Sequence, residues 1–216
     1  MAKISRRRPV KQRFTAIAAL ILVAAVLAFG PSPAGAATLT GASGLIYIPS
    51  ADTLGTGDAE IGVRFTDGKL TTSLTYGVFE RIEVGINNVK KGAEPAGLGL
   101  VLKGAVFEET AERPAVAVGF ETGQSYVVVS KRLAPRVRAH AGFGSGELEG
   151  LFAGVSLVVS TTSSGSISPA TTLLAEVTPE GLNAGVRMVF SPVVSVDLSL
   201  IDLEKLSAGV ALRTRF

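Results

Sequence analysis

The chain has 216 residues, 47% of them hydrophobic, with 21 basic and 18 acidic side chains, one histidine and no cysteine. The lack of cysteine excludes disulfides, thiolate metal sites and a lipidated N-terminal cysteine. Six of the basic residues precede residue 37, so the rest of the chain carries 15 basic against 18 acidic side chains, a net of −3, and its charge gives no reason to expect nucleic acid as a partner.

The first stretch is an export signal by composition. Lys3, Arg6, Arg7, Arg8, Lys11 and Arg13 form a basic region without an acidic residue, and an apolar run follows from Phe14 to Phe29. Pro31-Ser-Pro-Ala-Gly-Ala36 then sets Ala34 and Ala36 at the spacing that signal peptidase reads. Residues 1–36 are predicted to be a cleaved signal peptide. A retained anchor would need about 20 apolar residues to span a bilayer, more than this run supplies. Residues 37–58 follow as an extended segment with a turn at Pro49-Ser50, which could tuck into an enclosed interior as a plug.

From Ala59 onward the chain alternates with period two, the signature of strands with one apolar and one polar face. Ala59, Ile61, Val63 and Phe65 share a face opposite Glu60, Gly62, Arg64 and Thr66, and Asp67-Gly68 is a hairpin signal. The pattern recurs over Lys69–Tyr76, Arg81–Asn88, Gly97–Phe107, Ala115–Glu121, Ser125–Lys131, Arg136–Phe143, Gly150–Ser160 and Thr171–Val177. It continues through Leu182–Phe190 and Val194–Leu200 to a twelfth strand, Leu206–Phe216. In that last strand Leu206, Ala208, Val210, Leu212, Thr214 and Phe216 oppose Ser207, Gly209, Ala211, Arg213 and Arg215. A strand closing the chain on an aromatic resembles the final strand of bacterial outer-membrane barrels, where it is the signal read by the barrel-assembly machinery.

Connections support the count. Val78–Ile82, Arg132–Val137 and Val189–Val193 look like versions of one turn, and they follow strands two, six and ten. An up-and-down order puts all three at one end of the sheet. The expected fold is all-β, an antiparallel up-and-down barrel of about 12 strands (10–14) over residues 59–216, transmembrane and of outer-membrane type. The soluble alternative is an exported β-module in the periplasm or at the cell surface, since a solvated sheet also alternates.

The polar faces collect charges of both signs: Glu60, Arg64, Glu83, Lys103, Lys131, Arg136, Arg138, Glu176, Arg187, Asp197, Arg213 and Arg215. These are candidate lumen charges, able to pair where isolated ones would be costly. Acidic residues such as Glu60 on the first strand are the kind of partner open to Arg213 and Arg215. Phe65, Tyr76, Phe107, Phe120, Phe143, Phe190 and Phe216 fall near strand ends, where membrane interfaces collect aromatics. There is no Trp, however, and Tyr is sparse.

Gly44-Leu-Ile-Tyr-Ile-Pro-Ser-Ala51, with Leu54-Gly-Thr-Gly-Asp58, resembles the opening segment of the YjbH-like family of outer-membrane proteins. Leu173-Leu-Ala-Glu176, Leu182–Arg187 and Val194–Asp202 resemble strands near the end of such barrels. The resemblance covers most of residues 37–216 and implies a barrel linked to exopolysaccharide production or export. Its implied partners are outer-membrane lipid, the assembly machinery and polysaccharide.

No catalytic or cofactor chemistry stands out, and an enzyme is not expected. The only histidine, His140, alternates with Arg136 and Arg138, a poor setting for a metal ligand. Glu108, Glu109, Glu112, Glu147 and Glu149 lie in loops, and neither Ser163-Ser-Gly-Ser166 nor Gly142-Phe-Gly-Ser-Gly146 has the context of a phosphate loop. An outer-membrane enzyme would need a serine or carboxylate beside His140.

Overall fold

Twelve alternating segments become twelve strands, and the ring they form is closed. A computed structural model describes residues 37–92, 97–161 and 169–216; the predicted signal peptide lies outside the described residues. The strands are β1 (Asp58–Thr66), β2 (Lys69–Phe79), β3 (Ile82–Lys91), β4 (Gly97–Phe107), β5 (Ala115–Glu121) and β6 (Gln124–Ala134). They continue as β7 (Val137–Gly146), β8 (Gly150–Ser160), β9 (Ala170–Thr178), β10 (Gly181–Val189), β11 (Val194–Ile201) and β12 (Lys205–Arg215). Each strand pairs antiparallel with its sequence neighbours, and β1 pairs with β12. Ala59 lies opposite Thr214 and Val63 opposite Val210, so the edges that an open sheet would expose are absent.

Following aligned partners once round the ring shifts the register along β1 by about 14 residues, a stagger that goes with strands tilted by roughly 40°. The nine residues of β1 rise roughly 30 Å at about 3.3 Å each, and that tilt leaves about 23 Å of height, close to the roughly 25 Å apolar band of a membrane barrel. The Asp67-Gly68 turn has φ of 46° and 75°, the doubly positive pair that matches strand twist in a two-residue hairpin. It lies on one rim. The turns after β2, β6 and β10 lie on the other, with Asp58 and Phe216.

The apolar faces point outward. Ile61, Val63, Leu100, Leu102, Leu173, Leu198 and Val210 are exposed on the outer wall, an aliphatic surface of the kind that faces lipid. The outward aromatics form two groups: Phe65, Phe120 and Phe143 near the Asp67 rim, and Tyr76, Phe79, Phe107, Phe190 and Phe216 near the Asp58 rim. Phenylalanine thus occupies the interfacial positions where Trp and Tyr are usual.

The interior is occupied by the chain's own N-terminal segment. Residues 37–57 fold into the ring, and Ala42, Leu45, Ile46, Ile48, Ala51 and Leu54 are buried. The segment is not extended as its sequence suggests. Gly44 bridges Pro49, Leu45 N–H donates to Ile48 O at 3.0 Å and Ser50 N–H to Ser43 O at 3.1 Å, so residues 43–50 form a tight reversal. A methyl group on Gly44 would run into the Ile48 carbonyl oxygen.

Candidate functional site

The lumen has two chemically different halves. Tyr126 and Val128 of β6, Phe152 of β8, Leu174 of β9, and Ala115 and Ala117 of β5 point inward and pack with Leu45, Ile46 and Ile48 of the segment. The opposite half, on β1, β3, β4 and β10–β12, is charged. Small residues make room for both. Gly119 lies opposite Tyr126 and Gly142 opposite Phe152, and in each pair the ring covers its glycine. Gly209 opposite Arg64 repeats the device on the charged side.

Three charged clusters hold the segment, mostly by its backbone. In the first, Asp197 of β11 accepts from Arg64 Nη2 at 2.8 Å and from Arg187 Nε at 2.8 Å, and all three are buried. The same arginines donate to Ala37 O at 3.2 Å each, and Arg187 also to Gly44 O at 3.0 Å and Leu45 O at 2.9 Å. In the second, Lys103 Nζ lies 3.0 Å from Glu83 Oε1, both side chains inaccessible to solvent. Glu83 accepts from Ser43 N–H at 2.9 Å, Ser43 Oγ at 2.6 Å and Leu54 N–H at 2.8 Å, while Lys103 donates to Ser43 O at 2.7 Å.

The third cluster is Glu176 of β9. Its oxygens accept the consecutive N–H groups of Ile46, Tyr47 and Ile48 at 3.1, 2.8 and 3.3 Å, and Asn183 Nδ2 donates at 2.8 Å. A reversal aims successive amides at one point, the arrangement that makes an anion site from backbone alone. Here the anion is the protein's own carboxylate. Beside it, burial and then the neighbouring Glu147 carboxylate raise the Tyr47 phenol above its ordinary range, so the hydroxyl stays neutral as it donates to Glu147 at 3.4 Å.

The sequence-predicted charges divide into three groups. Glu60, Arg64, Glu83, Lys103, Glu176, Arg187 and Asp197 are buried inside. Arg138, Arg213 and Arg215 stand toward the Asp58 rim. Arg213 and Arg215 pair with Asp58 at 2.7 and 3.0 Å, not with Glu60, although Glu60 is the cross-strand neighbour of Arg213. Arg138 bridges Asp52 at 2.9 Å and Glu109 at 2.7 Å. Burial works against the Glu109 carboxylate, but the Arg132 N–H and the Arg138 guanidinium hold it below the usual range.

Two positions fall outside the lumen. Arg136 is exposed in the turn before β7, because the strand begins one residue later and its side chain has no wall to follow. Lys131 shares the outward parity of Val127 and Val129 and bends to donate to Thr110 O at 2.6 Å in the β4–β5 loop. A long aliphatic stem lets an outward lysine reach a rim in this way.

His140 does have a serine beside it: Ser130 Oγ and His140 Nδ1 are 2.8 Å apart. The serine is fully buried and accepts the Ala51 N–H at 2.9 Å. The geometry is that of a strut between wall and segment, since a nucleophile needs access to substrate. Among the described residues no cluster of His, Asp and Glu could hold a metal ion.

Sequence reasoning missed the segment's partners Asp58, Ser130, Thr75 and Asn87. Thr75 Oγ1 donates to Gly41 O and Asn87 Nδ2 to Thr40 O, both at 2.7 Å. Parity alone would have placed Asp58, Thr75 and Asn87 on the charged faces, whereas Ser130 shares its face with Tyr126 and Val128. Cavities lie on both sides of the segment. One of about 360 Å³, toward the Asp58 rim, is bordered by Arg138, His140 and Arg213. One of about 500 Å³, toward the Asp67 rim, is bordered by Tyr47, Asp67 and Glu147.

No family model matches the sequence, and no curated protein matches it. Among solved structures, the fold is similar to that of the KdgM porin in complex with disordered oligogalacturonate, with a TM-score of 0.51 at 8% identity, covering 74% of this chain and 99% of that one. The Acinetobacter baumannii outer membrane protein Omp33 aligns at 12% identity with a TM-score of 0.46, covering 74% of this chain and 97% of that one. At such identities the likeness is one of fold, the closed antiparallel barrel.

Proposed function

We propose that the protein is an outer-membrane barrel with a transport role, its lumen held shut by residues 37–57. The observation that carries this reading is how the segment is held. Wall carboxylates and arginines grip its backbone, and open space lies on both of its faces. A core built only for stability has no need of inward ion pairs that well-packed apolar residues can replace without loss. The aliphatic outer wall with its two aromatic groups supports membrane embedding. The Leu206–Phe216 pattern supports recognition by the assembly machinery.

The finer reading is a role in handling envelope polysaccharide. It is supported by the resemblance of residues 44–58 to YjbH-like proteins and by the fold shared with a porin solved with an oligogalacturonate. The test is conductance in planar lipid bilayers of the wild type, Gly44→Val and Glu176→Ala. The first variant breaks the reversal without touching the wall, and the second removes the acceptor of three amides. Wild type should conduct rarely and both variants far more often. Correctly folded variants as silent as the wild type would overturn the reading.

A further inference from the structure

Most cations of the Asp58 rim are paired: Arg81 with Glu108 at 2.8 Å, Arg138 with Asp52 and Glu109, and Arg213 and Arg215 with Asp58. One arc of that rim, across β4–β7, is different. Arg113 in the β4–β5 loop and Arg132 and Arg136 around the β6–β7 turn are exposed. None of their guanidinium groups has a carboxylate partner among the described residues. The acidic side chains of the same loop are committed elsewhere. Glu108 serves Arg81, Glu109 serves Arg138 and the Arg132 N–H, and Glu112 accepts from Thr110 Oγ1 at 3.1 Å.

Two contacts put this charge on the outer side of the wall. Arg113 lies over the ring of Phe107, its guanidinium carbon 5.4 Å from the centroid, and Phe107 is one of the outward aromatics. A guanidinium that meets a ring through its face keeps its in-plane N–H groups for other acceptors. Lys131, on the outward face of β6, donates to Thr110 O, Ala111 O and Arg113 O at 2.6, 3.0 and 3.3 Å. Its three hydrogens are thus used, so it ties the loop down and adds charge without a free donor. Between that loop and the β6–β7 turn runs an open groove of about 830 Å³, bordered by Lys131, Arg132 and Leu133, a size within the range of small-molecule sites. The wall beside it shows Val106, Phe107, Val129 and Leu133 to the outside.

We infer that this arc of the rim binds an anionic phospholipid, its phosphate on Arg113 and Arg132 and its acyl chains along the wall. Guanidinium forks match phosphate oxygens in geometry as well as charge. The aliphatic surface directly beside them favours a phosphate that carries acyl chains over a free one. Arg136 and Lys131 add attraction without needing to touch the headgroup, since a basic residue near an anionic membrane surface is worth roughly fivefold in binding. The inference rests on the membrane embedding proposed above, and it adds which lipid is favoured and where.

The chain has no tryptophan, so a single one introduced by Phe107→Trp reports on this spot and keeps a ring beneath Arg113. The full-length exported barrel carrying it is placed in phosphatidylcholine vesicles with rising fractions of brominated phosphatidylglycerol or brominated phosphatidylcholine, and quenching is measured. The anionic lipid should win the site at least about fivefold over the zwitterionic one. A second reporter, Phe143→Trp near the Asp67 rim, on the strand that leads to Glu147 and Glu149, should show no such preference. Adding Arg113→Gln and Arg132→Gln should bring the Phe107→Trp reporter to parity, with a heat-modifiable gel shift confirming that each variant is folded. Equal quenching by the two lipids at the Phe107→Trp reporter, or a preference that survives the double substitution, overturns the inference and leaves the barrel in its membrane. A reporter that neither lipid quenches removes the membrane reading, and this site with it.

Discussion

Glu83 shows how tightly single residues are committed inside the ring. Its Oε1 serves both Lys103 Nζ and the Ser43 N–H, and its Oε2 both Ser43 Oγ and the Leu54 N–H. An amide cannot replace it, because an NH₂ group in either position would face donors. Glu83→Gln also leaves Lys103 charged and fully buried. It should cost about 3–5 kcal/mol, the usual range for breaking a buried pair from one side. Adding Lys103→Met should recover part of that loss, so the cycle should be strongly non-additive. Urea unfolding in detergent micelles measures both values. A Glu83→Gln barrel as stable as wild type would mean that the pair is not buried as described.

At the scale of elements, cross-strand pairs of an aromatic and a glycine decide how wide the apolar half of the lumen can be. A methyl group on Gly142 would meet the Phe152 ring and the Val127 carbonyl, forcing the ring into the space of Leu45 and Ile48. Gly142→Ala should therefore loosen the segment, seen as faster proteolysis between residues 44 and 54 while the strands stay protected. Unchanged protection of the segment would show that the ring has another place to go.

These pairs also mark where sequence and structure part. The strands were legible because parity is a local property: Glu60 and Arg64, or Arg187 and Asp197, announce an interior face by alternating with valine and leucine. Hairpin chemistry at Asp67-Gly68 was legible for the same reason. The apolar half was not, because Phe152 and Tyr126 oppose outward Leu151 and Val127, and both faces of those strands then look alike. What turns them inward is a segment about 80 to 110 residues away in the chain, and only the fold brings it there. Asp58 as the partner of Arg213 was hidden for another reason: the arginine reaches past its cross-strand neighbour Glu60 to the next inward position on β1.

At the scale of the whole molecule, an aliphatic outer wall is suited to a membrane as its solvent. Leu102, half-exposed near the middle of β4, should tolerate arginine poorly. Leu102→Arg should cost about 2–4 kcal/mol of folding free energy in lipid vesicles, the depth-dependent range for a cation at mid-bilayer. The same substitution should matter little in a water-facing wall, so a cost near zero would instead favour the soluble exported module.

Residues 37–57 continue without a break into β1, and that continuity gives the barrel a direction. Gly57 is pinned on both sides, its N–H to Gly77 O at 2.9 Å and its carbonyl oxygen to Phe216 N–H at 2.8 Å. The segment is therefore a leash fixed at one doorway. With every wall strand hydrogen-bonded to two neighbours, it cannot slip out sideways, and at the Asp67 rim it is held by the Tyr47 hydroxyl on Glu147, at 3.4 Å, and not by the chain itself. If it leaves, it swings out past Asp58 on a tether of roughly 70 Å at full extension. If residues 1–36 are removed as their sequence predicts, release of the segment is a one-sided event, open to whatever lies beyond the Asp58 rim and closed to the other side.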